Sequence, residues 1–199
     1  MMSPNYFASR TRWNFAPNKL SAAVSRLCAQ GKILLDLTES NPTACGIAYP
    51  RELLQALADP KNLRYEPASA GLASAREAVA ADYARHGCAV DPASIILTAS
   101  TREAYSFVLR LLAEPGDRVI FPRPSYPLLD HLAQLNDVAV DRYFLRYDGS
   151  WRMDMDSLRE TVTPSSRAVV LVHPNNPTGS FLKRDEGSAL ETLCAEKEL

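Results

Sequence analysis

RVIFPRPSYPLLDHLAQLNDVAVDRYFL, residues 118–145, decides the fold. Residues 118–121 form a short apolar run closed by prolines, the signature of a buried strand rather than a helix. Residues 127–135 read as a helix and 138–145 as a second strand. Outward from this unit the same alternation continues. Upstream, residues 95–98 read as a strand and 102–112 as a helix, with the Pro115-Gly116 turn leading back into the quoted stretch. Downstream come the Asp148-Gly149 turn, a weak helix over 155–162, a strand over 167–172 and a closing helix over 184–198. Strands alternating with helices specify an α/β domain with a mostly parallel sheet.

The first hundred residues are less regular. Residues 1–17 are polar and aromatic and read as an N-terminal arm. Leu20, Val24 and Leu27 recur at helical spacing over residues 18–30, and Gly31 stops that helix. Residues 33–37 read as a short strand and TESNPT, 38–43, as a polar turn. Pro50 suits the first turn of a helix carrying Leu53, Leu54 and Leu57. After a loop over 59–70, Leu72, Ala75, Val79 and Tyr83 mark one face of a longer helix that Gly87 ends.

Composition narrows the function classes. The chain has 199 residues, 46% hydrophobic and 23% charged, with a net charge of −1. There is no basic block for nucleic acid and no apolar stretch long enough to cross a membrane. MMSPNYFASRTRWNF lacks the apolar core of a secretory signal. Cys28, Cys45, Cys88 and Cys194 form no C-x-x-C pair and read as reduced thiols of a cytoplasmic protein. His86, His131 and His173 have no metal-binding spacing.

In parallel α/β sheets ligands sit beyond the carboxyl ends of the strands, which directs attention to three loops. In TASTREA, 98–104, Ser100 or Thr101 can cap the following helix, and the same free N–H groups make a seat for a phosphate; a plain helix cap is the alternative. There is no G-x-G-x-x-G or Walker sequence. In FPRPSYP, 121–127, three prolines stiffen a turn that presents Tyr126, either as a stacking surface for a flat heterocycle or as an ordinary turn residue. In HPNNPTG, 173–179, Pro177 biases Asn176 to extended backbone and directs its amide; an Asn-Pro turn without a ligand is the alternative. Together the three describe a pocket for a flat, phosphorylated, hydroxylated aromatic compound. The S-x-x-K at Ser180–Lys183 has no accompanying S-D-N or K-T-G and reads as chance.

With these loops in view, the sequence resembles the class I and II aminotransferases, fold-type I enzymes that depend on pyridoxal 5'-phosphate. LDLTESNPT, YEPASAGLASAREAVAADYARHG, ILTASTREAYSFVLRLLAEPGDRVIFPRPSYP and the N-P-T-G of HPNNPTG carry the resemblance over nearly the whole chain. It implies a three-layer α/β/α fold with a mostly parallel sheet behind the arm. Residues 1–49 would be arm and part of a small domain, and residues 50–199 a cofactor-binding large domain. It also implies that Ser100, where many relatives have glycine, and Thr101 bind the cofactor phosphate. Tyr126 would stack on its ring and Asn176 would bond its phenolic oxygen. Tyr65 would reach the phosphate in the neighbouring subunit of a homodimer, and Ser40 would lie near the substrate carboxylate. The substrates would be an amino acid and a 2-oxo acid.

The family's chemistry also needs a lysine that forms a Schiff base with the cofactor and an acid that pairs with its pyridine nitrogen. None of Lys19, Lys32, Lys61, Lys183 and Lys197 stands in such a context. The chain therefore resembles the N-terminal portion of such an enzyme, expected to be inactive alone. Alternatives are another reaction on the same scaffold (carbon–sulfur lyase, decarboxylase, cyclopropane-forming synthase), the sensory domain of a transcription regulator, or a purely structural role. Arg10, Arg12 and Trp13 either line a substrate entrance or lie on a solvated arm.

Overall fold

The computed structural model describes residues 6–199. They fall into two compact units, one made of residues 6–13 with Thr98–Leu199 and the other of Asn14–Leu97.

In the first unit, α3 (Thr101–Leu112) leads into β1 (Arg118–Arg123), α4 (Leu128–Leu135) and β2 (Ala139–Tyr147). These follow the alternation of the sequence closely. β3 (Trp151–Met153), α5 (Met155–Thr161), β4 (Ser166–Val169) and α6 (Arg184–Lys197) complete the order. The strands form one sheet in the order β3-β2-β1-β4. β1 pairs in parallel with β2 and with β4, and β2 pairs antiparallel with β3. The sheet is thus mostly parallel, as expected. The β2–β3 hairpin turns at Gly149, whose φ of +98° suits a residue without Cβ.

β1 holds the layers together because side chains alternate across a strand. Val119 and Phe121 face a cluster with Leu109 of α3 and Leu129 and Ala133 of α4. Ile120 faces the opposite cluster with Tyr143 of β2, Leu158 of α5, and Leu190 and Leu193 of α6. Helices on both faces give the three layers, and the sheet's central strand is buried on both sides, as parallel strands require. Glu186 of α6 is buried. Its carboxylate accepts from the Met153 amide at 2.8 Å and from the Lys183 amide at 2.9 Å, which fastens the edge strand β3 to the start of α6.

The arm docks on α4. Arg10 Nη1 donates to Asp137 Oδ2 at 2.6 Å and Trp13 Nε1 donates to Gln134 Oε1 at 2.9 Å, while the Trp13 ring meets His131 edge-on at 5.2 Å. Arg10 and Trp13 therefore tie the arm to this helix and its C-terminal turn, while Arg10, like Arg12, stays solvent-exposed.

In the second unit α1 (Lys19–Ala29) and α2 (Ala73–Arg85) form where the periodicity places them. The Asn18 side chain caps α1 by accepting from the Ser21 amide. Three expectations are corrected here. Residues 33–37 form no strand, and Ile33, Leu35 and Leu37 are exposed. Residues 95–98 are also not a strand. Both runs have strand composition, but a strand exists only through a paired neighbour; Leu97 makes a single such bond, to the Ala70 carbonyl at 3.0 Å. The leucines at 53, 54 and 57 lie on a 3-10 helix, Arg51–Ala58, and all three are exposed. At Gly71, with φ of +90°, an added Cβ would come within 2.7 Å of the Leu97 side chain, so this close approach needs glycine.

Candidate functional site

The N-terminus of α3 is capped from both directions. Ser100 Oγ accepts from the Glu103 amide at 3.3 Å, and the Glu103 carboxylate accepts from the Ala99 amide at 2.7 Å. The Ser100 bond is the S-x-x-E cap, while the Glu103 carboxylate reaches one residue further back than in a capping box, to the amide that precedes the cap. The Ser100 bond uses the third amide of the turn and leaves those of Thr101 and Arg102 without an intrahelical partner. Ser100 has φ −164° and ψ 162°, extended backbone open to any residue, so serine replaces glycine here without strain. Because Ser100 Oγ only accepts in the cap, its O–H remains available to donate outward.

Two other loops reach the same end of the sheet. β1 ends at Arg123, and Tyr126 follows, half-buried against the Leu109–Phe121–Leu129 cluster. β4 ends at Val169, and the chain continues through Val172 to Asn175 and Asn176. The 175–180 turn closes on itself: the Gly179 amide donates to the Asn175 carbonyl and the Asn175 amide to the Ser180 carbonyl, at 2.6 and 2.8 Å. Asn176 is thereby left exposed at the tip.

Ser100, Thr101, Arg102, Tyr105, Tyr126, Leu132, Val172 and Asn176 line one hollow of about 410 Å³. That size lies in the range of small-molecule sites, about 300–1,000 Å³. Four of the residues singled out from the sequence, Ser100, Thr101, Tyr126 and Asn176, therefore share a single cavity beyond the strand ends. The hollow has a polar end at the start of α3, and Tyr105, Leu132 and Val172 give it apolar walls. Burial pushes the Tyr105 hydroxyl above its ordinary pKa, so it stays protonated at neutral pH. Tyr105 escaped the sequence reading although it lies one helical turn after Thr101, on the same face.

Tyr65 and Ser40 belong to the Asn14–Leu97 unit, and both are exposed. None of the chain's five lysines lines the hollow. Lys183 lies at the start of α6, and its Nζ bonds Ser150 Oγ at 2.7 Å. Among the described residues no cluster of His, Cys, Asp or Glu could hold a metal, and no helix is long and apolar enough to cross a membrane. Cys28, Cys45, Cys88 and Cys194 are free thiols.

Residues 32–199 match the family model for aminotransferase class I and II. Mouse tyrosine aminotransferase is 30% identical over 192 residues, which cover 88% of this chain and 42% of the mouse protein. The glutamate–pyruvate aminotransferase of Escherichia coli is 30% identical over 164 residues, covering 80% and 40% respectively. Among solved structures, an aminotransferase from Escherichia coli superposes with a TM-score of 0.80 at 25% identity, over 99% of this chain and 50% of that one. N-succinyldiaminopimelate aminotransferase from Mycobacterium tuberculosis gives 0.68 at 31% identity, over 75% and 40%. The chain spans less than half the length of the two curated relatives.

Proposed function

This chain belongs to the class I and II aminotransferases, and from that premise we propose that its hollow is the seat of pyridoxal 5'-phosphate in an enzyme that moves an amino group from an amino acid to a 2-oxo acid. The single observation that carries the reading is the convergence of Ser100, Thr101, Tyr126 and Asn176 on one cavity. The cavity's chemistry suits the group. The uncommitted amides of Thr101 and Arg102, the Thr101 hydroxyl, the outward O–H of Ser100 and the positive end of α3 suit a phosphate. The Tyr126 ring, fixed between prolines, offers a face to a flat heterocycle. The Asn176 amide has a donor for a phenolic oxygen. The walls of Tyr105, Leu132 and Val172 give apolar surface that suits the flat ring.

When bound, pyridoxal phosphate supplies an electron sink for the substrate's α-carbon. This chain's residues bind and orient; the lysine and the acid that the chemistry requires have no candidates lining the hollow. The same reading takes in Ser40 beside the substrate carboxylate, Tyr65 reaching the phosphate of a homodimer partner, and a division into residues 1–49 and 50–199. The four free thiols support a cytoplasmic setting.

The test is a titration of the 199-residue chain with pyridoxal 5'-phosphate, followed by absorbance and by calorimetry. Saturable binding that weakens in Thr101→Val and in Asn176→Ala is expected. Binding unaffected by both substitutions would overturn the reading. No amino transfer is expected from this chain, and conversion of an amino acid and a 2-oxo acid by pure material would refute the assignment of binding residues alone to it.

A further inference from the structure

We propose that Asn175, the neighbour of the ring-facing Asn176, is a positioning residue that ties the two ring-gripping loops together. Asn175 is 4% exposed. Its backbone already closes the 175–180 turn through the Ser180 carbonyl and the Gly179 amide, so its side chain is not needed for the turn itself. The side-chain amide instead uses both of its hydrogens. One goes to Thr178 Oγ1 at 2.8 Å, within its own loop; the other goes to the Pro124 carbonyl at 3.2 Å, on the Tyr126 loop 51 residues away.

The orientation of the amide is fixed by chemistry. The Pro124 carbonyl can only accept, so the nitrogen must face it. Thr178 Oγ1, which accepts from Asn175, lies 2.8 Å from Ser180 Oγ, a contact in which either hydroxyl can donate. The chain Pro124–Asn175–Thr178–Ser180 therefore runs from one loop into the other. Asn175 Oδ1 is buried and has no partner among the described residues, so the residue is held through its two donated bonds alone. An apolar residue of similar size would fill the space and lose the link. Tyr126 stands two residues beyond Pro124, and Asn176 is the next residue after Asn175. The bond across the loops thus sets the separation of the stacking ring from the directed amide.

This inference rests on the functional reading above, and its test separates the two. In the 199-residue chain, Asn175→Ala is expected to weaken pyridoxal 5'-phosphate binding by about tenfold, the weight of one buried hydrogen bond. Asn175→Ser, which keeps one donor, should fall between that variant and the parent, and it serves if the alanine variant does not fold. Inorganic phosphate, titrated against the Thr101 amide signal by NMR, should bind both variants as it binds the parent. A parallel loss of phosphate binding would mean general loss of structure and overturn the proposal, as would undiminished affinity for pyridoxal phosphate. In the ligand-free chain, the Ser125 and Tyr126 amide signals should shift in either variant while those of α6 stay in place. If the parent binds no pyridoxal phosphate, the functional reading fails. The link between the loops is then decided by those ligand-free spectra, where unmoved Ser125 and Tyr126 signals refute it.

Discussion

Replacing Ser100 by alanine should weaken the protein and its phosphate seat together, whereas replacing Thr101 should affect the seat alone. The Ser100 hydroxyl has two duties: it accepts from the Glu103 amide at 3.3 Å, and it keeps its hydrogen for a ligand. An N-cap replaced by alanine costs about 0.5–2 kcal/mol. Here the bond is long, and the shorter bond from the Ala99 amide to the Glu103 carboxylate, at 2.7 Å, survives the substitution. The expected loss is therefore in the lower part of that range, about 0.5–1 kcal/mol, or roughly 1–4 °C in melting temperature. Thr101 is the first helical residue, and its side chain makes no hydrogen bond among the described residues; Thr101→Val keeps its shape and should leave the melt within about 0.5 kcal/mol of the parent. Both variants should lose up to about tenfold in affinity for pyridoxal phosphate, one donated bond each. Ser100→Gly should melt closer to the parent than Ser100→Ala, because glycine at a cap costs only a few tenths of a kcal/mol. Urea unfolding followed by circular dichroism, paired with titration calorimetry, measures both quantities. Equal destabilisation by Ser100→Ala and Thr101→Val would refute the division of labour.

Three further outcomes follow from the same structure. Glu186→Ala should cost about 2–3 kcal/mol, because two amides lose a charged acceptor, and amide exchange at Met153 should quicken; unchanged protection there would show that the buried carboxylate does not hold β3. Phe121→Ala should cost about 3–5 kcal/mol and Ile120→Val only about 0.5–1.5 kcal/mol, both by urea unfolding, since each is fully buried at the middle of β1. On acidification the fold should weaken through Asp117 and Asp154. The bond from Arg167, together with the Glu114 amide, holds the Asp117 carboxyl below its ordinary pKa, and the Ser157 amide, aided by Arg146, does so for Asp154. Depressed folded-state values mean that this contribution is complete above about pH 4 and is lost as pH falls through the lowered values. Asp117→Asn should flatten the acid limb of a melting-temperature profile, and an unaltered limb would contradict the sign.

What the sequence disclosed was local. α3, β1, α4 and β2 were legible because prolines and glycines punctuate them and because their apolar runs are buried by elements adjacent in the chain. Residues 33–37 and 95–98 misled for the complementary reason: composition reports what a strand could tolerate, while pairing depends on a neighbour elsewhere. β3 went unseen because three residues, Trp151–Met153, are too few to show alternation. At the site, Ser100, Thr101, Tyr126 and Asn176 stood out because loops at strand ends carry unusual polar chemistry. Tyr105, Leu132 and Val172 did not, since an apolar side chain facing a cavity has the same sequence pattern as one facing the core. Asn175 was masked by its neighbour, and only the structure, through its burial and its bond to the Pro124 carbonyl, distinguishes the two asparagines.

The two-faced packing of β1 makes this strand intolerant of insertions. A single added residue near Val119 would exchange the audiences of the two layers, sending Ile120 toward α3 and α4 and Phe121 toward α5 and α6. It would also advance the downstream chain by about 3.3 Å relative to β4, carrying Tyr126 out of step with Asn176. Length variation among variants that still fold should therefore accumulate in the hairpin at Gly149 and spare the central strand.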